Sequence, residues 1–143
     1  MELKKYLNTY IIGLIGSIII ILSEFFSWFS ESTLIEIYIS TISVAISDAF
    51  LFLFPLMSGI ICLIASILII YKTELKIKSV IIFFVGLGFL IIFFVDYIRI
   101  IITYLGYLPN AGIGLYLAVV GFLLILINII NVLMTIEKRT DGN

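Results

Sequence analysis

Three ionisable side chains lie inside otherwise apolar stretches: Glu24, Asp96 and Arg99. A charge flanked by long apolar runs is expensive in a membrane and marks either a structural contact or a transport or ligand site. Asp96 and Arg99 stand three residues apart, so on a helix they share a face and can pair. Glu24 can complete a carboxylate–arginine–carboxylate cluster if its helix runs beside theirs. Such a layer either clasps two helices together at the outer end or acts as the selectivity element of a pore. The single cysteine, Cys62, has no basic residue near it in sequence and reads as a small packing residue rather than a nucleophile. Histidine is absent, which removes the commonest metal ligand and the usual general base near neutral pH. With no nucleophile–base arrangement, no metal set and no glycine-rich phosphate loop, the expectation is no catalytic residue, no metal, no cofactor and no enzyme.

The elements that position these groups follow from composition. Of 143 residues, 64% are apolar and 12% are charged; mean hydropathy is +1.36. A soluble domain carries about twice that share of charge, and a disordered chain is far less apolar. An integral membrane protein of one domain remains. Four stretches are long and apolar enough to span: Asn8–Phe29 containing Glu24, Phe50–Tyr71, Val80–Tyr104 containing Asp96 and Arg99, and Ala111–Ile136. Backbone in lipid must satisfy its own hydrogen bonds, and the runs are apolar all round, so they are helices rather than barrel strands. The first begins after Lys4 and Lys5 like a secretory leader. It ends in Phe25-Phe26-Ser27-Trp28-Phe29 without a small-residue cleavage site, so it reads as a retained helix with an aromatic belt.

Four spans put both termini on one side, and seven of the eight basic residues fall there: Lys4, Lys5, Lys72, Lys76, Lys78, Lys138 and Arg139. That side is cytoplasmic by the positive-inside rule. Glu24 lies sixteen residues above Asn8 and Asp96 sixteen above Val80, about 24 Å up each helix at about 1.5 Å per residue. The expected layer is therefore near the outer interface, not at midplane.

Residues 30–49 form the outer connection. Thr33 and Glu36 have the spacing of a capping box. Leu34, Ile35, Tyr38, Ile39, Ile42 and Ile46 then share one helical face, and Glu36, Ser40, Ser43 and Ser47 another. This predicts an amphipathic helix over 33–48 at the outer surface or across the bundle mouth, with a strand as the rival because Ile35, Ile37 and Ile39 also alternate. Whether it runs on into the second span is left open. Lys72–Ser79 and Gly106–Gly112 read as turns, and short links give an up-down-up-down four-helix bundle.

Helices in lipid associate through small and polar residues. The candidate packing faces are Gly13, Ser17, Glu24 and Trp28 on the first helix, Ser58 and Cys62 on the second, Gly86 on the third, and Gly114, Ala118, Gly121 and Asn128 on the fourth. Pro55, one turn into the second span, is placed to kink it.

The last span reads Gly112-Ile-Gly-Leu-Tyr116-Leu-Ala-Val-Val-Gly121-Phe-Leu-Leu and ends in Ile136-Glu-Lys-Arg139. Together with Trp28 soon after the first helix, it resembles the peripheral-myelin-protein-22 and claudin group of tetraspans. The resemblance implies four helices and cytoplasmic termini. The chain lacks that group's GLW motif and outer cysteine pair, so no functional residue is carried over.

The expected function is a non-enzymatic scaffold or accessory subunit of the cell membrane, packing among lipids against other membrane subunits or copies of itself. The alternative is a small oligomeric transporter or channel using Glu24, Asp96 and Arg99. No nucleic-acid partner is expected, because the basic residues flank the membrane. The topology has a direct check. A cysteine placed at Ser32 is expected to react with an impermeant reagent from outside, and one at Thr73 only from inside; labelling of Ser32 from the cytoplasmic side alone would overturn the orientation.

Overall fold

The computed structural model describes residues 2–29, 31–100 and 111–140. It is helical apart from two short strands, in the order α1 (Glu2–Ser23), β1 (Ser27–Phe29), β2 (Ser32–Thr33), α2 (Leu34–Ile42), α3 (Ile46–Leu51), α4 (Phe54–Tyr71), a 3-10 turn (Thr73–Leu75), α5 (Lys76–Ile100) and α6 (Ile113–Thr140). Three segments, Ile46–Tyr71, Lys76–Arg99 and Ile113–Glu137, are long and apolar enough to cross a membrane, and Tyr10–Ser23 is a shorter apolar helix. The chain is a helical membrane protein.

Several expected boundaries move. The first helix stops at Ser23 rather than Phe29. Its last turn tightens, with Glu24, Phe25 and Phe26 donating their N–H groups to the carbonyls three residues back, and the Ser23 hydroxyl bonds back to the Ile20 carbonyl at 2.6 Å. The next residues form an antiparallel strand pair, Ser27 opposite Thr33 and Phe29 opposite Ser32, with a bulge between. The aromatic belt expected at the end of one helix is therefore split, and Trp28 is buried rather than interfacial.

The capping box forms as the spacing predicts: the Glu36 N–H donates to Thr33 Oγ1 at 3.2 Å, and the Thr33 N–H donates to Glu36 Oε2 at 2.9 Å. The single helix expected over 33–48 is two, broken at residues 43–45. The Ser40 and Ser43 hydroxyls bond to carbonyls three residues back, the local competition that makes serine a poor helix continuer. With the chain turned there, Ile46 leaves the face it was expected to share and is 64% exposed. Ile39 is exposed as well, while Leu34 is buried and Ile37 packs against the outer core. Pro55 sits at the start of α4, where its missing N–H breaks no bond, so it initiates that helix instead of kinking it. The link expected over Lys72–Ser79 is shorter, because α5 already begins at Lys76. The last helix runs from Ile113 to Thr140, past the expected Ile136. Residues 101–104 of the expected third span lie outside the described residues.

α1 packs between α4 and α6, and α4 packs against α5. The contacts reach the backbone. A β-carbon on Gly16 would stand 2.9 Å from the Gly121 carbonyl oxygen, and one on Gly121 would stand 2.8 Å from that of Gly16. On α4, a β-carbon on Gly59 would stand 2.6 Å from Ile21 Cγ1. The helices meet where a side chain is missing, as association in lipid requires. The main core gathers Ile20, Cys62, Phe83, Leu90 and Ile125. A second cluster at the Trp28 end gathers Trp28, Leu34, Phe93, Tyr97 and Ala118.

Filling the α1–α6 contact separates packing from mere apolarity. Gly121→Leu is expected to lower thermal stability by about 1–3 kcal/mol, the usual scale of overpacking, whereas Leu123→Met on the exposed side of the same helix should be nearly neutral. Thermal unfolding in detergent or bilayer discs reads both, and equal tolerance at the two positions would refute the contact.

Candidate functional site: the Glu24–Trp28 turn and the buried polar groups

The turn after α1 carries the most unusual chemistry. Glu24 is fully buried, and neither carboxylate oxygen has a hydrogen-bond partner among the described residues. Four residues on, Trp28 is also fully buried. Its indole N–H donates to the Ser23 carbonyl at 2.7 Å, a second hydrogen bond on the carbonyl that already accepts the Phe26 N–H at the end of α1. The Trp28 carbonyl in turn accepts from the Tyr97 hydroxyl at 3.0 Å and from the Gly112 N–H at 3.0 Å. Phe93 and Tyr97 set their rings edge-on to the indole, at centroid distances of 5.2 and 5.6 Å. Phe29 bridges to Ala111.

Two glycines allow this approach. A β-carbon on Gly112 would collide with the Ser27 backbone, and one on Gly114 would reach within 2.5 Å of the indole nitrogen. Trp28 thus joins the end of α1, the C-terminal half of α5 and the start of α6. The sequence puts Trp28 both in an aromatic belt and on the packing face of the first helix, and it gives Tyr97 no role. The available signal was Gly114, which was assigned to a packing face without its partner.

The layer expected from Glu24, Asp96 and Arg99 is not assembled. Asp96 is half-buried and Arg99 exposed on α5, and none of the three has an ion-pair partner among the described residues. The physical reason is the early end of α1. Glu24 sits in a turn and folds inward, while Arg99 lies on the outward face of α5.

The small and polar residues singled out from the sequence are all buried: Gly13, Ser17, Ser58, Cys62, Gly86, Gly114, Ala118, Gly121 and Asn128. Several form one transverse layer through the helices. The Asn128 amide of α6 lies over Gly13 of α1, whose β-carbon would stand 2.5 Å from Nδ2. The Ser17 hydroxyl donates to the Gly13 carbonyl at 2.7 Å and lies 3.5 Å from the Ser66 hydroxyl of α4. The Ser66 hydroxyl donates to the Cys62 carbonyl at 2.9 Å. Cys62 Sγ lies 3.9 Å from the Phe83 carbonyl of α5. Both Asn128 amide atoms and the Ser58 and Ser79 hydroxyls have no hydrogen-bond partner among the described residues. Among those residues no group of three or more histidine, cysteine or acidic side chains is placed to hold a metal.

No family model, curated protein or solved structure matches this chain. The reading of the turn rests on its own chemistry. Glu24 lies beyond the end of α1, and burial raises its carboxyl above the usual glutamate range by disfavouring the charged form. The folded state then holds a proton that the unfolded state releases, so this group's contribution is complete below the ordinary glutamate range and is lost as pH rises above it. Glu24→Gln is expected to raise the melting temperature near neutral pH and to flatten its decline between acidic and mildly alkaline pH. An unchanged pH profile would mean that the carboxylate is solvated.

Proposed function

We propose that the chain is a four-helix scaffold or accessory subunit of the cell membrane, with both termini and Lys72–Lys78 on the cytoplasmic side. Its α1, α4, α5 and α6 form an up-down-up-down bundle that works through its lateral faces. The observation that carries this reading is the closure of the interior at backbone level. Gly16 meets Gly121 with no room for a methyl group, and Gly59 meets Ile21 in the same way. A bundle packed to that distance is a rigid body, and the surfaces it has to offer are the outward rows of Ile60, Ile64 and Ile67 on α4, Phe84, Ile92 and Val95 on α5, and Leu123, Ile127 and Ile130 on α6.

The test is extraction of the native membrane into polymer-bounded discs, followed by native mass measurement. The expected result is a stoichiometric second protein, either another subunit or another copy. A lone monomer would overturn the reading. The transporter alternative has one observation in its favour, the buried and unpartnered Glu24 carboxyl. Vesicles containing the protein and a pH-sensitive dye are expected to leak protons no faster than empty ones; a leak abolished by Glu24→Gln would put the transporter reading first.

A further inference from the structure

Eight glycines lie among the described residues, and seven of them are explained by a neighbour that a β-carbon would strike; around Gly88 there is nothing within 4 Å. Glycine is the weakest ordinary helix former, and this one stands in the middle of α5 (Lys76–Ile100) with no contact among the described residues to account for it. At about 100° per residue, Gly88 shares a face with Ile81, Phe84, Ile92, Val95 and Arg99. The four apolar members are 54–64% exposed, and Arg99 is exposed as well. The opposite face of α5, with Phe83, Leu87, Leu90, Phe93 and Tyr97, is buried in the bundle. Gly88 is therefore a notch in an outward apolar face, the shape that lets a second helix approach closely.

The charges on this face identify the occupant. Arg99 lies eleven residues beyond Gly88, about 16 Å along the helix at 1.5 Å per residue. Asp96 sits about 60° round the helix from Arg99 by the same 100° spacing. Neither has an ion-pair partner among the described residues. One acid and one base less than a turn apart, about 4.5 Å along the axis at 1.5 Å per residue, and both without an ion-pair partner among the described residues, make the face complementary to itself. In a two-fold interface residue i meets residue j and j meets i, so two copies standing in the same orientation bring each arginine to the other's aspartate. A different subunit would have to supply both charges independently.

We propose that α5 is a homodimer face, on which two copies cross at Gly88 and exchange two Arg99–Asp96 ion pairs near the outer interface. The pairs form at the edge of the hydrocarbon, where the effective dielectric is below that of water and a charge pair is correspondingly stronger. The proposal rests on the lateral-packing reading above and narrows it to one face and one partner.

The test uses the full chain in lipid vesicles, in a Cys62→Ala background. With Val95→Cys, mild oxidation is expected to give a disulfide-linked dimer, and with Ile127→Cys, exposed on α6, it is not. Gly88→Ile, added to Val95→Cys, is expected to cut the dimer yield about tenfold, the scale of losing one close helix contact. The same variant should keep its helix content and melting temperature, because the added side chain meets open space. Asp96→Arg and Arg99→Asp, each in the Val95→Cys chain, are expected to lose the cross-link alone and to regain it when the two variants are mixed. Failure of the mixture to cross-link, or equal cross-linking at Ile127→Cys, would overturn the proposal. A chain that is dimeric by mass yet does not link at Val95→Cys refutes this face and leaves the lateral-packing reading standing. A chain that is a lone monomer refutes both.

Discussion

The Trp28 end of this protein hangs on the hydrogen bonds of one residue. Trp28 donates its indole N–H to the last turn of α1 at Ser23 and accepts at its own carbonyl from Tyr97 on α5 and from Gly112 before α6. In lipid an unpaired backbone group is costly, and the end of a helix leaves several carbonyls open. At Ser23 the indole joins the Phe26 N–H on one of them, where α1 ends and the chain turns into the strand pair. It also fixes the distance between α1 and α6 at that end. The burial of Glu24 follows from the same turn, since the carboxyl enters the interior only because the helix does not continue through it.

Away from that end, a different constraint takes over. Lipid tails offer apolar side chains the same surroundings as the protein interior, so burial of leucine or isoleucine does not drive the helices together. What distinguishes inside from outside is close approach and polarity. Gly16, Gly59, Gly86 and Gly121 bring backbones within reach of each other, Gly13 makes room for the Asn128 amide, and Ser17, Ser58, Ser66 and Asn128 turn inward with them. Isoleucine and phenylalanine are left on the outward faces in large numbers.

The two constraints together bear on function. The packed interior favours a rigid unit, and the outward faces are where selection for a partner can act. On α5 the outward face is not uniform, because it carries a glycine without a neighbour and two charges without a counter-ion among the described residues. Those three residues are legible as a group only once the buried side of α5 has been assigned.

The sequence by itself determined the membrane class, the approximate position of three apolar helices of membrane-spanning length, the capping box at Thr33 and Glu36, and the identity of the small residues. Each of these depends on local pattern: apolar run length, a three-residue spacing, or side-chain size. The tertiary structure alone decided where α1 stops, where Trp28 goes and which charges meet. Ser23 is compatible with a continuing helix in isolation, and it ends one because an indole five residues later and glycines about ninety residues later fit around it. The rise of a helix placed Glu24 and Asp96 at one height, but height along an axis says nothing of direction around it once the helix has ended. The Glu24–Asp96–Arg99 layer was therefore a sound inference from a straight helix that the Trp28 contact does not allow to form.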